Sequence, residues 1–318
     1  MINEYRPEGT LSFTARNREL LALGRAGLER AMAQGIILES TALLCDGDMN
    51  LHVDLRGAVG IIPRSEVCLC RDGEDVKDIA IITRVGKPVC FKVMSIEERG
   101  GKTVAYLSRR QAQLECQHNF LNDLIPGDII PARVTHLENF GAFVDIGCGI
   151  VSLLSVDCIS VSRFSHPRDR LYNGMDIYTV VKFIDRERDR IFVSMRELLG
   201  TWQENAALFS AGQTVAGVIR SVESYGVFVE LTPNLAGLAE LREDTPINAS
   251  DAVGRLVAVY IKSIIPERMK IKLVLVDSYK GEIVSPKLTY FTDCANTPHI
   301  DYWRYSPLQS SKVVETVF

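Results

Sequence analysis

The sequence predicts an all-β chain of three tandem five-stranded barrels, with an N-terminal helix, helical linkers and a β-rich C-terminal tail. Three observations predict it. The chain repeats itself, each repeat alternates apolar and polar residues between glycines, and the stretches between repeats have helical spacing instead. Residues 133–155 (RVTHLENFGAFVDIGCGIVSLLS) align without a gap on 218–240 (VIRSVESYGVFVELTPNLAGLAE). Tyr225 falls on Phe140, Gly226 on Gly141, Phe228 on Phe143 and Glu230 on Asp145. Downstream, 180–194 (VVKFIDRERDRIFVS) aligns with 260–274 (YIKSIIPERMKIKLV), placing Lys270 on Arg190. A fainter copy lies upstream, in 53–66 and 87–110. A unit of about 70 residues with short alternating runs and glycine punctuation is the pattern of a small closed barrel.

In chain order, the segment 1–34 carries a helix, with Leu20, Gly24, Leu28 and Ala31 on one face, although Gly24 and Gly27 weaken it. A degenerate barrel is expected over 35–110. A helical linker over 111–126 has Ala112, Cys116 and Phe120 four apart. The second barrel takes 127–197. Leu198, Trp202, Ala206 and Phe209 mark a second helical linker over 198–211, and the third barrel takes 212–277. The remainder, 278–318, holds Tyr290, Phe291, Tyr302, Trp303 and Tyr305, too aromatic for a simple disordered tail. KLTYF, HIDYWRY and KVVETVF read as strands that extend or cover the third barrel. The alternative is a second base-stacking surface with Arg304 on phosphate.

The composition excludes several classes. Of 318 residues 47% are hydrophobic and 24% charged, ordinary for a globular protein. No run approaches the roughly 18 apolar residues of a membrane span. The start, MINEYRPEGT, lacks an apolar signal core behind a basic stretch, so no export is expected and a cytoplasmic location is. The net charge of -4 argues against strong nonspecific polyanion binding, unless local patches override it. The eight cysteines are irregularly spaced; Cys68/Cys70 and Cys116/His118 lack the paired spacing of a zinc ribbon. Neither metal nor cofactor is expected. There is no P-loop, G-x-S-x-G or H-E-x-x-H, and the histidines join no nucleophile in a recognised local pattern, so no catalytic residue is assigned and no enzyme is expected.

FGAFVDIG (140–147), the LLS that follows, and the closing YTVVKFIDRERDRIFVSMREL (178–198) resemble the S-one RNA-binding domain, an OB-fold module. The resemblance is strong over 127–197, good over 212–277 and moderate over 35–110. It implies nonenzymatic binding of single-stranded RNA, in translation, with the small ribosomal subunit as a further partner and a monomer as the working form. In such domains two aromatics, a histidine, an acid and a base commonly touch RNA. In the second repeat these places hold Phe140, Phe143, Ser155, Asp185 and Arg190, with serine replacing histidine. In the third they hold Tyr225, Phe228, Glu240, Ile265 and Lys270, which implies weaker binding. In the first, Met49, His52 and Pro63 leave no aromatic platform, though His52 could still stack.

Exposed rings suit single strands, whose unstacked bases each offer a π-face; one stack is worth about 1–3 kcal/mol. Strict alternation would send residues three apart to opposite faces, so Gly141 is expected to host a bend that brings Phe140 and Phe143 together, leaving Val144 and Ile146 inside. Arg133, His136, Lys182 and Arg220 are lesser phosphate candidates. Two other readings stay open: a protein-interaction scaffold with partly lost RNA binding, and a stress or transcription regulator using the same modules.

Overall fold

The computed structural model describes residues 5–70, 75–240, 252–278 and 288–318. The repeats become three closed barrels of one topology, in which the third strand lies between the second and the fifth. The first barrel comprises β1 (Leu38–Cys45), β2 (Leu51–Asp54), β3 (Val59–Ile62), β4 (Pro88–Arg99) and β5 (Lys102–Ser108). The second comprises β6 (Ile129–Glu138), β7 (Gly141–Asp145), β8 (Val151–Ser155), β9 (Asp176–Asp185) and β10 (Arg190–Ser194). The third comprises β11 (Thr214–Glu223), β12 (Gly226–Thr232), β13 (Leu235–Ala239), β14 (Leu256–Ile265) and β15 (Lys270–Ser278). Each closes through a parallel pair, β3 with β5, β8 with β10 and β13 with β15, and otherwise through antiparallel neighbours such as β4/β5, β9/β10 and β14/β15. This is the OB-type barrel that the alternation called for. Inward residues such as Ala142, Val144, Leu154, Val181 and Val193 are buried, and Ile146 lies buried just beyond β7.

The N-terminal helix is two helices. Gly24, at φ 58° and ψ -131°, ends the path of α1 (Ala15–Ala22) before α2 (Arg25–Gln34) begins. That conformation is outside what an L side chain adopts readily, so the glycine that weakened the single-helix pattern is where the chain breaks. A short α3 (Asp78–Ile82) follows, and α4 (Arg109–Asn119), capped by the Ser108 hydroxyl, fills the first linker. A one-turn α5 (Val156–Ile159) follows β8. The second linker is shorter than its spacing predicts. It is a 3-10 turn over Arg196–Leu199, a break at Gly200, and the five-residue α6 (Trp202–Ala206) with a Thr201/Glu204 capping box. Among the described residues of the tail the two strands are β16 (Tyr302–Arg304) and β17 (Glu315–Val317), which pair with each other; KLTYF forms no strand over 288–291, and Lys287 lies outside the described residues. Trp303 and Tyr305 join the apolar core of the third barrel, and the Tyr305 hydroxyl donates to the Asn234 carbonyl at 2.5 Å. The covering reading of the tail therefore fits these two rings.

Packing divides the chain into two compact units. One holds Met1–Leu124, Pro131–Arg133 and Asp145–Val151; the other holds Ile125–Ile130, Val134–Val144 and Ser152–Phe318. Each carries a buried ionic cluster. In the first unit the Arg109 guanidinium donates to both Glu8 carboxylate oxygens at 2.6 and 2.9 Å. Asp145 lies beside them and accepts from the backbone N–H of Glu8, Gly147 and Gly149 at 2.7, 2.8 and 3.0 Å. Burial, followed by the Glu8 charge, pushes Asp145 up to about 7. In the second unit Glu230 accepts from fully buried Arg170 and from Arg220 at 2.9 and 3.2 Å, while Arg220 also pairs with Asp169.

Candidate nucleic-acid interface

On the second barrel, Phe140 sits in the two-residue turn between β6 and β7 and is 54% exposed, while Phe143 is half-buried in β7. Their rings meet edge to face, with centroids 5.9 Å apart and planes at 87°. The bend expected at Gly141 is not what unites them. Phe140 lies outside the strand, in the turn, so alternation does not bind it. Gly141 makes room instead: a Cβ there would lie 2.4 Å from the Leu154 carbonyl oxygen, which belongs to backbone and cannot move aside. The close approach lets the Val156 N–H donate to the Phe140 carbonyl at 2.9 Å, which sets the aromatic turn beside Ser155.

The neighbouring strand adds a third ring. His136 on β6 stacks on Phe143 at 6.5 Å and 20°, with its Nε2 2.8 Å from Glu138. Two further rings have no counterpart among the sequence-based candidates. Phe183 on β9, 57% exposed, and Phe192 on β10 face each other in register, with centroids 6.1 Å apart. Phe192 in turn is level with Leu153 on β8. Their signal in the sequence is weak, because the two belong to different strands and a bulge intervenes: the register passes from Phe192/Phe183 to Val193/Val181, leaving Lys182 extra.

The polar candidates fare unevenly. Arg190 is exposed at the start of β10, opposite Asp185. Asp185 is occupied within its own turn, accepting from the Arg188 N–H and guanidinium at 3.1 and 3.2 Å. Ser155 donates to Asp157 at 2.6 Å, which helps hold the Asp157 pKa below its ordinary range. Lys182 is half-buried with Nζ 2.9 Å from the Cys158 sulfur. Two candidates are corrected by their surroundings. Arg133 donates to the Glu8 carbonyl at 3.1 Å and is part of the first unit's packing. The Arg220 side chain is buried between Glu230 and Asp169, so its charge is neutralised inside the fold.

The third barrel repeats the pair. Tyr225, 62% exposed in the turn before β12, meets Phe228 at 6.2 Å and 89°. Gly226 again accommodates the next strand, since a Cβ would lie 2.7 Å from the Ala239 carbonyl. Around the pair, however, the row is polar: Ser221 is level with Phe228, Leu238 with Lys272, and Lys272 with Ser263. Lys270 and Glu240 are exposed. On the first barrel Met49 lies in a left-handed turn at φ 63°, and His52 is held by Asp46 at 3.0 Å. The His52 bond, with those from Asn50, lowers Asp46 to about 2. Pro63 precedes a 3-10 turn. In the tail Arg304 lies in β16 opposite Glu315 with its Nε buried, an arrangement unlike an open phosphate contact.

Residues 123–196, the second barrel and its approach, match the model of the S1 RNA binding domain. The second barrel belongs to the S1 family. Over a wider span the chain is 30% identical, across 236 residues, to the small ribosomal subunit protein bS1 of Rhodopseudomonas palustris, an alignment covering 73% of this chain and 39% of that one. It is 29% identical over 280 residues to bS1 of Mycobacterium leprae, covering 81% and 55%. The chain thus spans about two-fifths to just over half of these relatives. Among solved structures, a multidomain protein with nucleic acid binding domains from Streptococcus pneumoniae aligns over 76% of this chain and 73% of its own, at 15% identity and a TM-score of 0.24. The S1 match spans the Phe140/Phe143 turn and the closing β9–β10 hairpin. No helix among the described residues is long and apolar enough to cross a membrane.

Proposed function

We propose that the chain is a nonenzymatic binder of single-stranded RNA acting in translation, with the S1 barrel 127–197 as its principal contact. The observation that carries this reading is the exposed edge-to-face pair Phe140/Phe143, reproduced at Tyr225/Phe228. A base can stack on such rings when it is not held in a duplex. Arg190 beside the S1 barrel's face, and Lys270 at the matching place of the third, are the phosphate contacts. The third barrel, 212–277, binds more weakly, because fewer rings surround its pair. The first, 35–110, has no such pair and its His52 is engaged by Asp46, so we assign it a structural or protein-docking role. Several weak sites in one chain add through effective concentration. The small ribosomal subunit is the partner that the bS1 relatives suggest, and the working form is a monomer in the cytoplasm.

The test is fluorescence anisotropy with a labelled U-rich single strand and a duplex control. Wild type binds the single strand, binds the duplex weakly, and Phe140→Ala/Phe143→Ala loses about 2 kcal/mol or more. Absence of wild-type binding, or binding indifferent to the substitutions, refutes the reading.

A further inference from the structure

Phe183 and Phe192 are not needed by the barrel. The interior is filled by Val144, Leu154, Val181 and Val193, all buried, while Phe183 stands 57% exposed outside. The third barrel supplies an internal control. Its β14–β15 hairpin forms the same antiparallel pairing with Ser263 and Lys272 at the matching register. The fold therefore closes equally well with small or charged residues there, and leaving a large ring in water forgoes the gain of burying it.

We propose that Phe183 and Phe192 form a second stacking subsite for a nucleobase of the single strand whose neighbouring bases lie on Phe140 and Phe143. Three observations fit a nucleic acid as occupant. The two pairs belong to one barrel face, since Phe192 is level with Leu153 on β8 and β8 adjoins β7, which carries Phe143. Two strand spacings, roughly 10 Å, separate β7 from β10, more than one stacked base covers, so the subsites take different nucleotides. Arg190 lies two residues before Phe192 on the same side of β10, exposed, with no side-chain hydrogen bond or ion pair among the described residues. It is placed to meet the phosphate between them. The bulge at Lys182 turns Phe183 outward against Phe192.

The proposal rests on the reading of this barrel as an RNA binder, and the experiment separates the two. Full-length wild type, Phe140→Ala/Phe143→Ala, Phe183→Ser/Phe192→Thr and Phe183→Tyr/Phe192→Tyr are titrated into labelled oligouridylates of about four and about twelve nucleotides. Circular dichroism and the unfolding midpoint verify that each is folded. The Ser/Thr variant is expected to lose about tenfold or more on the long strand and little on the short one. The Tyr/Tyr variant keeps the wild-type length dependence, and the Ala/Ala variant weakens on both lengths. If the Ser/Thr variant matches wild type on the long strand while the Ala/Ala variant weakens, the second subsite is overturned and the RNA reading survives. If wild type binds neither strand, both fall.

Discussion

The second and third barrels share one topology and nearly one aromatic pair, 5.9 Å and 87° against 6.2 Å and 89°, yet they differ in the row of side chains beside it. Where the second barrel has His136, Phe192 and Phe183, the third has Ser221, Lys272 and Ser263. Since both close with the same strand order, the extra rings are not a condition of folding. The shared pair is what the barrel repeats, and the surrounding row is where one copy has been elaborated.

The acids at matched positions differ as sharply and give the largest expected effect. Glu230 bridges two buried guanidiniums, one of which also pairs with Asp169, whereas Asp145 accepts mainly backbone N–H groups beside another carboxylate. Glu230→Leu strands Arg170, leaves Arg220 with Asp169 alone, and is expected to cost about 3–5 kcal/mol in urea unfolding. Asp145→Asn, which keeps an acceptor for Gly147 and Gly149, costs clearly less. Equal losses would erase the distinction.

Next come the glycines. Gly141→Ala sets a methyl against the Leu154 carbonyl at 2.4 Å, and Gly226→Ala meets the Ala239 carbonyl at 2.7 Å. Both destabilise, the first by about 2–3 kcal/mol and the second by less. Unfolding midpoints unchanged by either substitution would contradict the close-approach account.

The pH dependence separates the two acids further. Asp145 keeps its proton to about pH 7 when folded but loses it near about pH 4 when unfolded. The folded state therefore binds more protons in that window, and this contribution to stability falls as pH rises through it. Stability curves of wild type and Asp145→Asn should diverge between those pH values, with wild type falling the more steeply. Parallel curves would show that Asp145 does not titrate there. The smallest effect is on salt dependence. Arg190→Ala should reduce the log–log salt slope of RNA binding by about 0.7, the share of one phosphate on a single strand. An unchanged slope would remove Arg190 from the contact.

Much of the barrel architecture was legible because alternation and glycine spacing are local signals. Phe140 and Phe143 could be paired from the repeat, although the reason they meet is the turn and not a bend within β7. Gly24 announced the break in the N-terminal helix, but only the backbone angles show that two helices result. The fates of Arg133 and Arg220 were not legible, since Glu8 and Glu230 reach them through the fold and not through sequence spacing. Arg170, wholly buried, gave no sign of its role for the same reason. Phe183 and Phe192 were hidden by a one-residue bulge, which breaks the alternation that would have put them on one face.

The most direct measurement sets the two aromatic pairs against each other in the intact chain: anisotropy titrations of a labelled U-rich single strand with Phe140→Ala/Phe143→Ala and with Tyr225→Ala/Phe228→Ala. The expected loss is about 2 kcal/mol or more for the first and about 1 kcal/mol or less for the second. Equal losses, or a greater loss at the third barrel, would contradict it.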